Sequence, residues 1–363
     1  MRIARVRLLE YELPLLRPLR IGGAESAARS GVIVVLEDGT GRTGMGEAAP
    51  LPGLHTETLA EARDQLLRFA GRIEGTAVPP EAATLRGAFE GWLGPHGLTP
   101  SVRCGVEGAA LALLAEGGPP GMPELVAGLA VAAVHVNALL AGDDDVVVAE
   151  ARRLAAEGWR CLKIKVGRGD PDREAALVAA VRRAVGAHVA LRLDANRSWD
   201  LPTATTFAQR VSPERVEYLE EPLRDSTELP ALFEAGGVAV ALDETLLSRS
   251  PDDPGDLRGV AAFVLKPAVL GGYERAMAWS RCAAEHGIAP VVSAAFPSAA
   301  GLALDAAFAA AVAPELEHGL GTFAAFAADI ARTPVAAPAG VLELGRLPRS
   351  PDDLRPEACR VIR

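Results

Sequence analysis

Lysine is nearly absent from this chain. Of its 37 Lys and Arg residues, only Lys163, Lys165 and Lys266 are lysine. Arginine solvates a surface and pairs with acids as lysine does, but it keeps its proton near neutral pH. A lysine amine can lose its proton when its surroundings lower its pKa. Arg- and Ala-rich codon usage accounts for the scarcity and leaves the three positions to be explained. Cysteine is scarce as well. Cys104, Cys161, Cys282 and Cys359 form no CxxC pair and are too few for a disulfide framework in 363 residues. No apolar run of about 18 residues is free of polar breaks, so the sequence offers no membrane helix. The start, MRIARVRLLEYELPL, carries charges throughout and lacks the apolar centre of a signal peptide. A cytoplasmic protein is expected. Positive charge is also lacking: the formal net charge is -10, which argues against nucleic acid or an anionic membrane as partner.

What is present is 49% hydrophobic residues against 23% charged, enough for a large core. At roughly 150 residues per domain, the length suits two domains. Residues 3–15 alternate like a strand, and 32–37 and 43–48 flank a hairpin signal at Asp38-Gly39. Helical stretches follow at 56–73, 81–93 and 101–116, then a Gly- and Pro-rich linker. Residues 1–125 therefore read as an α+β domain. Beyond it, short apolar strands alternate with amphipathic helices. The strands fall at 131–137, 160–166, 188–193, 216–219, 238–242, 261–265, 289–293 and 316–319, over a domain of about 126–325. Eight such units close most simply into a (β/α)8 barrel within an α/β fold. A doubly wound open sheet is the alternative, weakened by the lack of a GxGxxG after the first strand. The tail, 326–363, is Pro-rich and is expected to pack back on the first domain as part of a cap.

Catalytic groups of a barrel sit at the C-terminal ends of its strands. Those ends read Asn137, Lys165, Asp194, Glu220, Asp243, Lys266, Ser293 and the region of His318. All three lysines fall in this set or beside it. Three acids, Asp194, Glu220 and Asp243, end consecutive strands. Side by side they would repel one another, so positive charge belongs among them. An all-oxygen cluster suits Mg2+ first and Mn2+ second, and the lack of a nearby His or Cys argues against zinc. The alternative is that each acid caps a helix or pairs with an arginine. In CLKIKVG the two-residue period points Lys163 and Lys165 the same way. Lys266 lies four strands on, across the mouth. Burial and neighbouring positive charge would lower a lysine pKa there and make a neutral amine available as base. Such parts suit removal of a proton next to a carboxylate, where charge builds on the carboxylate oxygens. His135 reads as a core histidine, and Asp143-Asp144-Asp145 as a solvated helix start.

With Lys163-x-Lys165, Asp194-Ala195-Asn196-Arg197, Glu220-Glu221-Pro222, Asp243-Glu244 and Lys266-Pro267 in order, the chain resembles the enolase superfamily, whose sites are known to pair a Lys or His base with Mg2+. Within it the chain is most similar to the o-succinylbenzoate synthase family. Residues 46–53 (GEAAPLPG), 101–109 (SVRCGVEGA) and 318–322 (HGLGT) carry that likeness. The resemblance implies a modified (β/α)8 barrel with an α+β capping domain built from the N-terminal segment and the C-terminal tail. It implies Mg2+ on Asp194, Glu220 and Asp243. Lys165 would take the proton alpha to a small-molecule carboxylate and return it to a departing hydroxyl. Lys266 would stabilise the enediolate from the other face, and Lys163 would hold the carboxylate. Asn196 and Arg192 would form a supporting shell, Ser293 would lie near the substrate tail, and Arg20 would contact substrate from a capping loop at 16–30. The implied activity is a hydro-lyase of menaquinone biosynthesis, with an N-acylamino acid racemase or a dipeptide epimerase as the alternative. Ala294 and Ala295 depart from the serine-rich run of close relatives, and the eighth strand lacks the Asp-x-Asp of dipeptide epimerases.

Overall fold

Residues 3–38 form a long antiparallel hairpin. In this computed structural model, which describes residues 1–115 and 117–363, β1 (Ile3–Ile21) and β2 (Ala24–Asp38) pair from Ile3 opposite Asp38 to Ile21 opposite Ala24. The expected helix end at Glu116 lies outside the described residues. The two strands turn at Gly22 and Gly23, with φ of 55° and 81°, the left-handed pair that a two-residue turn needs. The segment 16–30, expected as a loop, is therefore a β arm, and its turn packs against Gly53. Its residues near the turn are mostly exposed on both faces, so no alternation of apolar and polar residues marks them as strand. β3 (Thr43–Ala48) adds to β2 after the turn at Asp38, whose carboxylate accepts from the backbone NH of Thr40 and Arg42.

α1 (Leu59–Ile73) opens on a capping box. Thr58 accepts from the Glu61 NH, and the Glu61 carboxylate accepts from the Thr58 NH. The helix expected over 81–93 is split. A 3-10 turn at 80–84 precedes α2 (Ala88–Leu93), because Leu85 and Gly87 both take positive φ. α3 (Pro100–Leu114) is buried along nearly its whole length and lies hard against β3. A Cβ on Gly46 would stand 2.0 Å from the Gly105 carbonyl oxygen, so the approach requires glycine. α4 (Met122–Ala127) ends the first region. Its sheet is covered on both sides. Val32, Val34 and Leu36 join the main core with α1 and α3, whereas Ile33 and Val35 pack with Tyr11, Met45, Ala300 and Leu354.

The remaining order is β4 (Ala133–Val136), β5 (Ala138–Leu140), α5 (Asp144–Ala156), β6 (Cys161–Lys165), α6 (Pro171–Val185), β7 (Ala190–Asp194), α7 (Leu201–Val211), β8 (Tyr218–Glu220), α8 (Leu229–Gly236), β9 (Val240–Leu242), β10 (Val260–Leu265), α9 (Pro267–Leu270), α10 (Tyr273–His286), β11 (Ala289–Val292), α11 (Ala299–Val312) and β12 (Glu317–His318). β5 to β11 form one parallel sheet of seven strands in sequence order. The sheet curls until both edges meet β12. On one side β12 pairs with β4, which runs through Asn137 into β5. On the other, Ser293 bridges Gly319, whose NH donates to the Val292 carbonyl. Leu162, Ile164, Leu191, Leu193, Leu219 and Leu242 face the helices. Tyr218, Ala241, Ala262, Val264 and Val291 fill the inside of the curl.

The tail divides. β14 (Cys359–Val361) pairs with β1, so the end of the chain packs on the first region. β13 (Val341–Glu343) instead pairs antiparallel with β4, since β6 pairs with β5 and not with β4 and leaves that edge of β4 open. No helix among the described residues is long and apolar enough to cross a membrane.

Candidate active site

The ends of β6, β7, β8, β9 and β10 bring Lys163, Lys165, Asp194, Glu220, Asp243 and Lys266 to one mouth. Parallel register sets Lys165 beside Asp194, and Asp194 beside Glu220. The Lys163 ammonium donates to both oxygens of Glu220, at 2.7 and 2.8 Å, and lies 2.8 Å from Asp194 Oδ2. Lys165 donates to the same Asp194 oxygen at 2.6 Å and to Asn196 Oδ1 at 2.7 Å. Lys266 pairs with Asp243. The three carboxylates are all buried. Two carboxylates about 4 Å apart repel by roughly 4 kcal/mol at an effective dielectric of about 20, so the ammonium ions are what allow them to stand together.

The electrostatics partly reverse the sequence expectation. Burial works against the charge on Lys163, yet Asp194 and Glu220 outweigh it and hold its pKa well above the ordinary lysine value. Lys266 is raised likewise: burial opposes its charge, and Asp243, Glu244 and Glu220 prevail. Burial also opposes the charge on Asp194, but Lys163 and Lys165 keep it well below the usual carboxylate range. Glu220 is pushed up, first by burial and then by the Asp194 charge, and Asp243 is raised by burial. Among the described residues no three acid, His or Cys side chains converge as metal ligands, because the carboxylate oxygens are turned to the lysines. The donor set nevertheless suits a hard divalent cation: it is all oxygen and buried, and Glu244 Oε2 beside it is buried without a partner.

The supporting residues sort differently from their expected roles. Asn196 sits in the cluster; its amide donates to Glu244 Oε1 at 3.3 Å. Arg192 faces inward as expected but lies one layer below Asp194, fully buried. Its guanidinium donates to Glu217 at 2.8 Å and to the Glu317 carbonyl at 2.5 Å, and it stacks 5.1 Å from the Tyr218 ring centroid. It fills the interior beneath the mouth. Ser293 donates to the Gly319 carbonyl at 3.3 Å, at the rim between β11 and β12. Arg20 pairs with Glu25 across the arm at 2.9 Å, with its side chain 80% exposed, which places it on the arm's outer surface. His318 accepts from the Val292 NH at Nδ1 and donates from Nε2 to the Ala313 carbonyl. Burial lowers its pKa to about 4, so it is a neutral structural tie.

Sequence reasoning passed over Glu221, Arg197 and Thr245, which interlock just behind the acids. Arg197 and Glu221 were signalled only by membership of the motifs, and Thr245 only by following Asp243-Glu244. The backbone marks the region: Asn196, Arg197, Glu221 and Phe296 all follow strand ends and take positive φ, a conformation non-glycine residues hold only when their surroundings enforce it. The arm reaches this rim through Arg29, whose guanidinium donates to the carbonyls of Ala49, Pro50 and Phe296 at 2.7, 3.0 and 3.0 Å.

Comparison with known proteins agrees with this geometry. Residues 146–350, more than half of the chain, match the model of an enolase C-terminal domain-like family, and residues 2–81 match a MenC N-terminal domain. Protein PHYLLO, chloroplastic, of Arabidopsis thaliana is 33% identical over 343 residues; the match covers 83% of this chain and only 20% of PHYLLO's length. The o-succinylbenzoate synthase of Klebsiella pneumoniae is 30% identical over 338 residues, covering 92% of this chain and 94% of that protein. MenC from Desulfotalea psychrophila superposes with a TM-score of 0.77 at 26% identity, over 94% of this chain and 99% of that one. A dipeptide epimerase from Enterococcus faecalis, complexed with Mg and a dipeptide, shares the fold with a TM-score of 0.82 at 23% identity, over 96% and 98% of the two chains.

Proposed function

The chain belongs to the enolase superfamily, and on that footing we propose that it is an o-succinylbenzoate synthase, a hydro-lyase. In this reading the curled sheet is a modified (β/α)8 barrel, capped by residues 1–125 with the end of the tail, and 126–325 is the catalytic domain. The observation that carries the reading is the placement of Lys165 and Lys266 at the ends of β6 and β10, with β7, β8 and β9 and their three acids between them. A planar carboxylate substrate held among the acids would have an amine on each face.

Asp194, Glu220 and Asp243 would hold Mg2+, with Mn2+ as substitute. When bound, the metal supplies positive charge against the substrate carboxylate as charge builds there. Lys165 takes the proton alpha to that carboxylate, and its electron pair moves into the carboxylate as an enediolate. The carbon–oxygen bond to the ring hydroxyl then breaks. Lys165 returns the proton to the departing oxygen on the same face, so one water leaves and the ring becomes aromatic. Lys266, held charged by Asp243, faces the enediolate as a fixed cation. Lys163, held charged by Asp194 and Glu220, keeps the acids in place. Asn196 orients Lys165 through its 2.7 Å hydrogen bond. Ser293 stands at the rim where a succinyl tail would lie.

The test is a direct assay with the hydroxycyclohexadiene carboxylate, following the aromatic product by absorbance. Turnover that disappears on chelation and returns with Mg2+ is expected; a chelated enzyme that still turns over would sink the metal assignment. The second reading, a racemase of N-acylamino acids or a dipeptide epimerase, is favoured by the amines on both faces. It predicts exchange of solvent deuterium into both enantiomers of such a substrate. The end of β12 and the residues after it, His318-Gly319-Leu320-Gly321, provide no acid for a dipeptide's amino group.

A further inference from the structure

Glu221 is 1% exposed, and its carboxylate is bonded at every side. Oε1 accepts from the backbone NH of Asp243 at 2.8 Å and of Thr245 at 2.7 Å. Oε2 accepts from the Thr245 hydroxyl at 2.9 Å and from Arg197 Nε at 3.0 Å. Arg197 reaches the same hydroxyl with Nη2 at 2.9 Å, and its backbone NH donates to the Glu221 carbonyl at 2.6 Å. Four acceptor positions are thus filled by four donors, the full capacity of a carboxylate. The three side chains come from the segments that follow β7, β8 and β9. Each stands within three residues of one of the acids Asp194, Glu220 and Asp243. Arg197 and Glu221 hold φ of 59° and 40°, so the cluster also enforces a strained backbone beside two of those acids.

We infer that Glu221 is a positioning residue: through Arg197 and Thr245 it fixes the three strand ends against one another and so sets the spacing of the acids before a cation arrives. The inference rests on the proposed function in taking those acids as cation ligands. Its contacts separate it from the acids themselves. Glu221 touches the Asp243 backbone and no ligand oxygen, so its effect passes through geometry. Losing a partner of this kind typically weakens metal binding by about 10–100-fold.

The test measures Mn2+ binding by the electron paramagnetic resonance of the free ion, on the full chain and on Glu221→Gln, Arg197→Gln and the double variant. Glu221→Gln keeps the shape of the side chain but sets an amide NH2 against donors at Thr245 and Arg197. We expect it to melt cooperatively and to bind Mn2+ at least 10-fold more weakly. Arg197→Gln is expected to weaken binding less, and the double variant to be no weaker than Glu221→Gln, because Arg197 acts through that carboxylate. A folded Glu221→Gln that binds Mn2+ within twofold of wild type, whatever its melting temperature, overturns the inference and leaves the proposed function standing. If Glu221→Gln does not fold, Arg197→Gln decides by the same criterion, since the Arg197 side chain is 35% exposed. Wild-type protein that binds no Mn2+ overturns the ligand assignment itself.

Discussion

Two regions of this molecule bury carboxylates, and they do so by different means. At the mouth, Asp194, Glu220 and Asp243 are met by ammonium ions. At the seam between the first region and the outer helices, Glu47, Glu107, Glu274 and Asp305 are met by fixed neutral donors and one arginine. Glu47 accepts from the NH and hydroxyl of Ser298. Glu274 accepts from the NH groups of Gly87, Phe89 and Glu90, and Glu107 from Arg103 and the Glu274 NH. Asp305 accepts from the Tyr273 hydroxyl at 3.1 Å. A chain with 34 arginines sets Arg103 against the seam carboxylates and reserves its three lysines for the mouth. The seam needs donors that stay put. The mouth holds donors on flexible stems, and an amine can give a proton up and take it back.

The comparison breaks most visibly at Lys165. Lys165→Arg keeps a charge beside Asp194 but removes the exchangeable proton, and a loss of about 10³-fold in turnover is expected with the melting temperature little changed. Near-wild-type turnover would mean that the mouth, like the seam, needs only charge. Lys163→Met probes the pairing itself. It strips a partner from Asp194 and Glu220, and breaking a buried pair costs about 3–5 kcal/mol. That loss should show in thermal melts and shrink in saturating Mg2+; a loss that Mg2+ leaves untouched would disconnect the lysine from the cation site.

The seam answers to pH in a calculable direction. Burial pushes Asp305 up to about 8 from an ordinary 3.8, and Glu47 and Glu107 to about 7. A group that holds its proton more tightly when folded contributes stability that is full below the unfolded value and is lost as pH rises through the folded one. For Asp305 the window runs from 3.8 to about 8. The slope of one such proton is about 1.4 kcal/mol per pH unit. Asp305→Asn should flatten the fall in stability across that window, as read from melts at stepped pH; parallel curves would remove Asp305 from the account. The smallest effect is expected at Arg20. Its exposed pair with Glu25 is worth at most about 1 kcal/mol, so Arg20→Ala should leave stability and KM nearly unchanged. A several-fold rise in KM would return Arg20 to the substrate.

The strand ends were legible because one βα unit repeats, so a polar residue at each end stands out against apolar strands. Direction was legible too: the two-residue period put Lys163, Lys165, Arg192 and Asp194 on the inner face. Depth was not. Two residues along a strand is roughly 6.6 Å, and that distance separates Asp194 at the mouth from Arg192 in the interior. The arm escaped notice because a strand exposed on both faces has no alternation to read. Glu221 escaped because it follows β8 while its partners follow β7 and β9, and only the register of the sheet brings them together.

The tie made by Arg29 has one more consequence. Its three acceptors are peptide carbonyls from two segments, and none of them titrates or binds salt. A guanidinium buried among carbonyls is little screened by ions. The arm is therefore riveted to the rim by a joint that salt barely loosens.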